Sequence, residues 1–283
     1  MTIGLTGHHF DEFVNGQLRA VGCYKVKKMQ NFRLGWTFLA VVAICTVACT
    51  SNLQVRKQQG AAARNLGEVY FGQGNYTQAL KEFLKAESLY PDDPFLQNDL
   101  GLTYKAKKKP DLAITNFKKA IDLKPDYADA KNNLGSAYLD KGEWDVAIAY
   151  FKEVAGSLVY ASPHLPLSNL GWAYYNKKAY EHAEKYYLDA LEIAPKFINA
   201  LRGLGLTYMA MGKVPEGIEI LESAVKEYPS MALLYLDLAG AYTLLHDYES
   251  ALKAYNKVIE LSPGSAFARE AEKKAAKIRK SML

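Results

Sequence analysis

The chain has 283 residues, of which 49% are hydrophobic, 23% charged and 12% aromatic. This charged fraction is close to that of ordinary globular proteins, which excludes a wholly disordered chain. Three cysteines are too few for a fold built on disulfides, and the five histidines are too scattered to favour a histidine metal site. The net charge of +5 is too small to indicate nucleic-acid binding without a basic patch.

The first 48 residues are predicted to be a leader with a signal segment. An apolar run of 15 residues occupies positions 34–48, and it is preceded by the basic residues Lys25, Lys27, Lys28 and Arg33. A membrane-spanning helix needs about 20 apolar residues, so a short apolar core with a basic flank favours a secretory signal. An uncleaved amphiphilic anchor is the alternative. Met29 is a second candidate start, because the residues before it have no helical period; the competing interpretation is an extended basic region that includes Lys25–Lys28.

The end of this segment resembles the cleavage site of a bacterial lipoprotein signal. Ala48 precedes Cys49, although Thr46 stands where that class prefers Leu. The resemblance implies that Cys49 becomes the first mature residue and carries lipid. It also implies sorting to the outer membrane, since no Asp follows Cys49. Residues 1–48 hold five basic and two acidic residues, so residues 49–283 carry a net charge of only +2.

The chain after residue 60 contains a repeat with a period of 34 residues; in one of the five intervals the period is 36 residues. Each unit has Leu followed by a small residue. Counted from that small residue, Tyr stands three positions later, a second small residue twelve positions later, and an aromatic residue or Leu sixteen positions later. Five units end in Pro. The Leu–small pairs are 66–67, 100–101, 134–135, 170–171, 204–205 and 238–239.

Six copies in register resemble the tetratricopeptide repeat. The resemblance implies an all-α, right-handed α-solenoid of six helix-turn-helix repeats with a C-terminal capping helix. The small residue lets helix A and helix B of one unit approach closely, the aromatic residues fill the space between units, and Pro ends helix B. We predict a polar tether at 49–59 and a capping helix at 266–283. The six units are predicted at 60–93, 94–127, 128–163 (irregular), 164–197, 198–231 and 232–265.

No pattern in the sequence indicates an enzyme. His164, His182 and His246 fall at different repeat positions, and the repeats contain no cysteine. The acidic pair Asp92–Asp93 lies before a predicted helix, where Asp caps the helix N-terminus. We therefore predict no catalytic residue, cofactor, metal or small-molecule substrate, and no nucleic-acid partner. A protein partner is expected.

In tetratricopeptide proteins, positions 2, 5, 9 and 12 of each unit face the concave groove. Trp172 and Tyr175 are at the centre of the predicted groove, and aromatic residues of this kind are frequent binding hot spots. The mainly apolar lining favours an amphipathic helix or an extended apolar segment as ligand. The alternative is that some of these side chains, Leu102 and Leu206 above all, pack against the neighbouring unit. The candidate groove residues are Phe95, Asn98, Leu102, Lys105, Asn132, Leu139, Leu165, Ser168, Trp172, Tyr175, Asn199, Arg202, Leu206, Met209 and Leu236.

The third unit is two residues longer than the others. Gly156 is predicted to end its helix B early, and Pro166 to lie in the first turn of the next helix. The insertion is either neutral or alters the curvature between units 1–3 and units 4–6.

The end of the third unit and the start of the fourth resemble the type IV pilus biogenesis and stability lipoproteins. The matching residues are Leu158, Val159, Tyr160, Pro163, Asn169, Leu170 and Gly171. Over residues 49–265, the resemblance implies a lipid-anchored pilotin on the periplasmic face of the outer membrane. A pilotin supports the localisation and multimerisation of the pilus secretin. The alternatives are a periplasmic adaptor for cell-wall hydrolases or a protease, and a scaffold in outer-membrane protein assembly.

Overall fold

The computed structural model describes residues 34–157 and 160–282, with side chains from residue 53 onward. Over these residues the chain forms thirteen α-helices and no strand, so the predicted all-α solenoid is confirmed. The predicted start at Met29 and the motif residues Leu158 and Val159 lie outside the described residues. The helices are α1 Leu34–Gly72, α2 Tyr76–Leu89, α3 Pro94–Ala106, α4 Pro110–Leu123, α5 Ala128–Asp140, α6 Trp144–Ala155, α7 His164–Asn176, α8 Tyr180–Ile193, α9 Ile198–Ala210, α10 Val214–Glu227, α11 Ala232–Leu244, α12 Tyr248–Leu261 and α13 Ala266–Ser281.

The first helix is longer than the repeat pattern predicts. Residues 49–59, interpreted from their polarity as a tether, continue α1 because no glycine or proline interrupts residues 36–59. Cys49 lies within this helix, and its lipidation remains a prediction. In the part of the chain that the structure describes, no helix is both long and apolar enough to cross a membrane. The chain divides after Val55 into two units, and the repeats occupy the second, residues 56–283.

Each repeat pairs an odd-numbered A helix with the even-numbered B helix that follows it. The turn between the two helices needs one residue with positive φ, which is a common way to end a helix. Gly74, Gly142 and Gly212 fill this position in three units, with φ of 74°, 77° and 80°. The other three units use residues that carry a side chain, at a steric cost. These are Lys108 (φ 57°), Lys178 (φ 61°) and His246 (φ 59°).

The repeat glycines let the A and B helices approach, as predicted. A Cβ atom at Gly101 would lie 2.5 Å from two ring carbons of Phe117, and one at Gly171 would lie 2.7 Å from Tyr187. Phe117 is fully buried and Tyr187 is 1% exposed. The helix-B aromatic ring therefore occupies the space that a larger residue at the glycine position would need.

The A helices form the inner side of the array. Among the described residues, the backbone of each A helix from α3 to α11 comes within 8 Å of the next odd-numbered helix, whereas the backbones of successive B helices lie farther apart. A stack of helix pairs that is tighter on one side curves toward that side. The surface of the A helices is therefore concave.

The irregular third unit behaves as its proline and glycine positions indicate. Helix α6 ends at Ala155 with Gly156 as its C-cap, and Pro166 lies in the first turn of α7. The hydroxyl of Tyr160 donates to Asp129 at 3.1 Å, which ties the longer connection to the start of α5.

The C-terminal helix α13 begins at an N-cap, Ser265, whose hydroxyl oxygen accepts from the amide of Ala268 at 3.0 Å. Its inner side buries small apolar residues and Ile278, and its outer side is charged. This arrangement covers the apolar end of the last repeat, as the sequence predicts for a cap.

Candidate protein-binding surface

Ten of the fifteen candidate residues have side chains that are at least partly accessible on the concave surface. Phe95 and Trp172 are 40% and 39% exposed, and Asn199 is also exposed. The seven that are half-buried are Leu102, Lys105, Leu165, Tyr175, Arg202, Leu206 and Met209. Leu102 and Met209 pack partly against the core, in line with the alternative that such side chains contact the neighbouring unit.

The other five candidates are buried, which corrects the assignment of Asn98, Asn132, Leu139 and Leu236 to the groove surface; only Ser168 borders a cavity that opens there. Four of the five occupy the fifth position of their unit, where the side chain points at the next A helix rather than into the groove. The buried residues are Asn98, Asn132, Leu139, Ser168 and Leu236.

A row of polar contacts joins successive A helices, and we call it the inter-repeat ladder. Each rung links the fifth residue of one unit to the sixth residue of the next. Two rungs are ion pairs and two are amide pairs, so buried polar groups satisfy one another between units. The rungs are Arg64 Nε to Asp99 Oδ2 (2.6 Å), Asn133 Nδ2 to Asn98 Oδ1 (2.9 Å), Asn169 Nδ2 to Asn132 Oδ1 (3.1 Å) and Arg202 Nε to Asp237 Oδ2 (2.5 Å).

Sequence reasoning missed the ladder, although a signal for it was present. Polar residues recur at the sixth position as Asp99, Asn133, Asn169 and Asp237, and the fifth unit alone has Gly203 there. A polar residue repeating on a helix that is otherwise apolar indicates a specific partner in the next unit.

Between α7 and α9 the ladder has no rung, and a cavity of about 220 Å³ opens there. We call it the Tyr187 cavity, after the helix-B residue that reaches into it. Its lining residues are Ser168, Asn169, Trp172, Tyr187, Asn199, Arg202 and Gly203.

The exposed aromatic residues lie at two places on the concave surface. Trp172 stacks on Tyr175 with ring centroids 5.3 Å apart and planes 9° from parallel. Phe95 lies near the first units and meets Tyr127 edge-on at 5.2 Å, while Lys124 sits 5.0 Å from the centroid of its ring. Stacked rings have few ways to rearrange, so Trp172 is presented to a ligand in a fixed orientation.

Burial sets the protonation of the ladder carboxylates. Burial raises the pKa of Asp99 from 3.8 to about 6, although the guanidinium of Arg64 lies beside it. Glu68 pairs with the same guanidinium at 2.5 Å, so two carboxylates share one cation. Burial also raises the pKa of Asp237 and of the Tyr187 hydroxyl.

In the part of the chain that the structure describes, no cluster of three or more His, Cys, Asp or Glu residues could hold a metal ion. Each histidine of the repeats contacts an aromatic side chain: His164 meets Phe197, His182 stacks on Tyr174, and His246 Nδ1 lies 2.8 Å from the Tyr248 hydroxyl. The absence of catalysis remains a prediction.

Comparison with known proteins gives relatives of the whole array. Family models described as TPR repeat match residues 67–108 and 101–142, and models described as tetratricopeptide repeat match 132–165, 165–197 and 202–266. The chain is 33% identical over 196 residues, 69% of its length, to BBSome complex member BBS4 of Mus musculus. It spans only 37% of the length of that protein, and 21% of that of the Bos taurus counterpart.

Two solved structures resemble the array closely in shape. PilW, described as a widely conserved type IV pilus biogenesis factor, superposes with a TM-score of 0.68 at 21% identity, over 75% of this chain and 97% of that one. PilF of Pseudomonas aeruginosa superposes with a TM-score of 0.63 at 19% identity, over 77% of this chain and 99% of that one. Identities this low establish the fold alone. The matched repeat models show that the chain is a member of the tetratricopeptide-repeat proteins.

Proposed function

We propose that this protein is a non-enzymatic scaffold that binds a segment of a partner protein along its concave surface. The observation that carries the proposal is Trp172, which stands exposed at the centre of that surface and is held in place by Tyr175. Tryptophan is the residue most enriched among binding hot spots, and its burial by a ligand supplies a large apolar contribution. The half-buried Leu165 and Leu206 extend the apolar area on the same surface.

We further propose that the partner is the secretin of a type IV pilus and that the protein is a pilotin. Two independent features support this assignment. The array matches PilW and PilF over nearly the whole length of both proteins. The sequence around Tyr160, Pro163 and Asn169–Gly171 resembles the pilus biogenesis and stability lipoproteins.

The proposed location is the periplasmic face of the outer membrane, with a lipid on Cys49. The supporting features are the basic and apolar residues before Cys49 and the Ala48–Cys49 pair. In this mechanism the lipid holds the array at the membrane, and the concave surface shields an apolar secretin segment from water. Release of that segment accompanies multimerisation of the secretin.

Replacing Trp172 with Ala tests the binding surface. We expect the affinity for purified secretin monomers to fall by about thirtyfold, which corresponds to about 2 kcal/mol for a central hot spot. The matched control is Tyr76→Ala, which removes an aromatic residue of similar exposure, 37%, from the B helix α2. Unchanged affinity in Trp172→Ala, with normal helix content and melting temperature, would exclude this surface.

Replacing Cys49 with Ala tests the anchor, and deletion of the gene tests the pathway. We expect Cys49→Ala to remove the protein from the outer-membrane fraction; unchanged fractionation would refute lipidation at Cys49. Deletion is expected to leave the secretin as monomers on a gel. Heat-stable secretin multimers with intact pili would refute the pilotin assignment and leave the adaptor and assembly functions as the candidates.

A further inference from the structure

The Tyr187 cavity exists because the fourth and fifth units lack the residues that build a rung elsewhere. Position five holds Ser168, whose side chain is too short to cross to α9, and position six holds Gly203, which has no side chain. The neighbouring rungs are the amide pair Asn132–Asn169 and the ion pair Arg202–Asp237. The inter-repeat ladder is therefore interrupted at one place, directly beside the exposed Trp172.

The hydroxyl groups of two buried residues border this interruption. Tyr187 is 1% exposed and Ser168 is 4% exposed, and neither hydroxyl hydrogen-bonds to another described residue. A Cβ atom at Gly203 would lie 2.5 Å from the Tyr187 hydroxyl, so the glycine makes room for that group. The first three units have Phe at the position of Tyr187, so the hydroxyl is not needed to fill the space between helices. Both residues line the cavity, and their hydroxyls are open to water there, so a ligand that enters the cavity can hydrogen-bond to them in place of that water.

The charge of the cavity favours an uncharged ligand. Arg202 is its only ionised lining residue, and both carboxylate oxygens of Asp237 accept from the guanidinium, at 2.5 and 3.3 Å. A ligand carboxylate would have to be buried close to Asp237, and like charges at such distances repel. A carboxamide both donates and accepts, which suits hydroxyls and the amides of Asn169 and Asn199.

We propose that the Tyr187 cavity is a subsite for the side-chain amide of a Gln or Asn residue in the bound partner segment. The amide completes the interrupted ladder, as Asn169 does for Asn132 one unit earlier, while a flanking apolar residue lies on Trp172. This inference rests on the proposed binding of a partner segment to the concave surface and adds a sequence preference to it.

The test compares three blocked tripeptides in which leucines flank Gln, Glu or Met. These central residues have nearly the same shape and differ in polarity and charge. Binding is measured on the full chain at neutral pH from the indole N–H signal of Trp172 in ¹⁵N-correlated spectra. We expect the Gln peptide to bind about fivefold more tightly than the Met or Glu peptide, the effect of one net hydrogen bond. Equal binding of the three peptides would overturn the subsite while leaving the proposed function intact.

Three variants separate this preference from general docking on Trp172. Tyr187→Phe, which matches the first three units, and Ser168→Ala should each remove most of the preference for Gln without unfolding the array. Asp237→Asn frees the Arg202 guanidinium and should reverse the preference from Gln to Glu. Retention of the Gln preference in all three variants would refute the inference. If none of the peptides shifts the Trp172 signal at millimolar concentration, both the subsite and the proposed binding surface fail.

Discussion

Replacing Gly101 with Ala is expected to destabilise the second repeat, because the added methyl group has no room. Its Cβ atom would lie 2.5 Å from both Cδ1 and Cε1 of Phe117, a ring that is fully buried. Relieving this contact requires the ring or α3 to move by about 1 Å, and overpacking of this kind costs about 1–3 kcal/mol. Alanine regains about 1 kcal/mol of helix propensity. Taking the upper end of the packing cost, we expect a net loss of about 2 kcal/mol.

The matched control is Gly240→Ala, which places the same methyl group in the interior of α11. No atom lies within 4 Å of a Cβ built at Gly240, so only the helix propensity changes. We expect a gain of about 1 kcal/mol from Gly240→Ala. For an array of this size, the melting temperature of Gly101→Ala should fall by about 4–8 °C. A Gly101→Ala protein as stable as the parent would refute the explanation of the repeat glycines as space for the aromatic ring.

Two further predictions concern turns and pH. The double variant Lys108→Gly and Lys178→Gly should raise the free energy of unfolding by about 1–2 kcal/mol, because glycine adopts positive φ without the steric cost that a side chain carries there. Denaturant titrations measure the change, and a loss of stability would contradict this explanation. The pKa of Asp99 is raised from 3.8 to about 6, so its contribution to stability is complete below about pH 4 and is lost as the pH rises through 6. The Asp99→Asn variant lacks this dependence, and its stability relative to the parent should increase by up to about 3 kcal/mol between pH 4 and pH 7. Parallel stability curves for the two proteins would show that Asp99 does not titrate in this range.

The spacing of small and aromatic residues was sufficient to predict the solenoid. Pairs of Leu and a small residue, spaced by 34 residues and once by 36, place the same side chain at the same point of each helix pair, and one unit cannot bury its apolar face alone. The helix ends followed from local chemistry, as at Gly156 and at Asp93, whose carboxylate accepts from the amide of Phe95 at 2.9 Å. The tether at residues 49–59 remains a prediction; these residues continue α1, because polarity alone does not end a helix.

The candidate surface was predicted less completely than the fold. The groove positions typical of tetratricopeptide repeats identified the exposed Trp172, but they also assigned buried residues such as Asn98 and Asn132 to the groove. Whether a fifth-position side chain faces solvent or the next unit depends on the angle between neighbouring A helices. That angle is a property of the stacked array and not of one repeat.

The sequence by itself determined the helical fold and the length of each repeat, because these depend on residues near one another in the chain. Only the tertiary structure decided which side chains meet across repeats, since those partners lie about 35 positions apart. The pairs Arg64–Asp99 and Arg202–Asp237 are contacts of this kind. The cavity beside Trp172 is another, because it arises where Ser168 and Gly203 fail to meet and the Tyr187 hydroxyl remains without a partner.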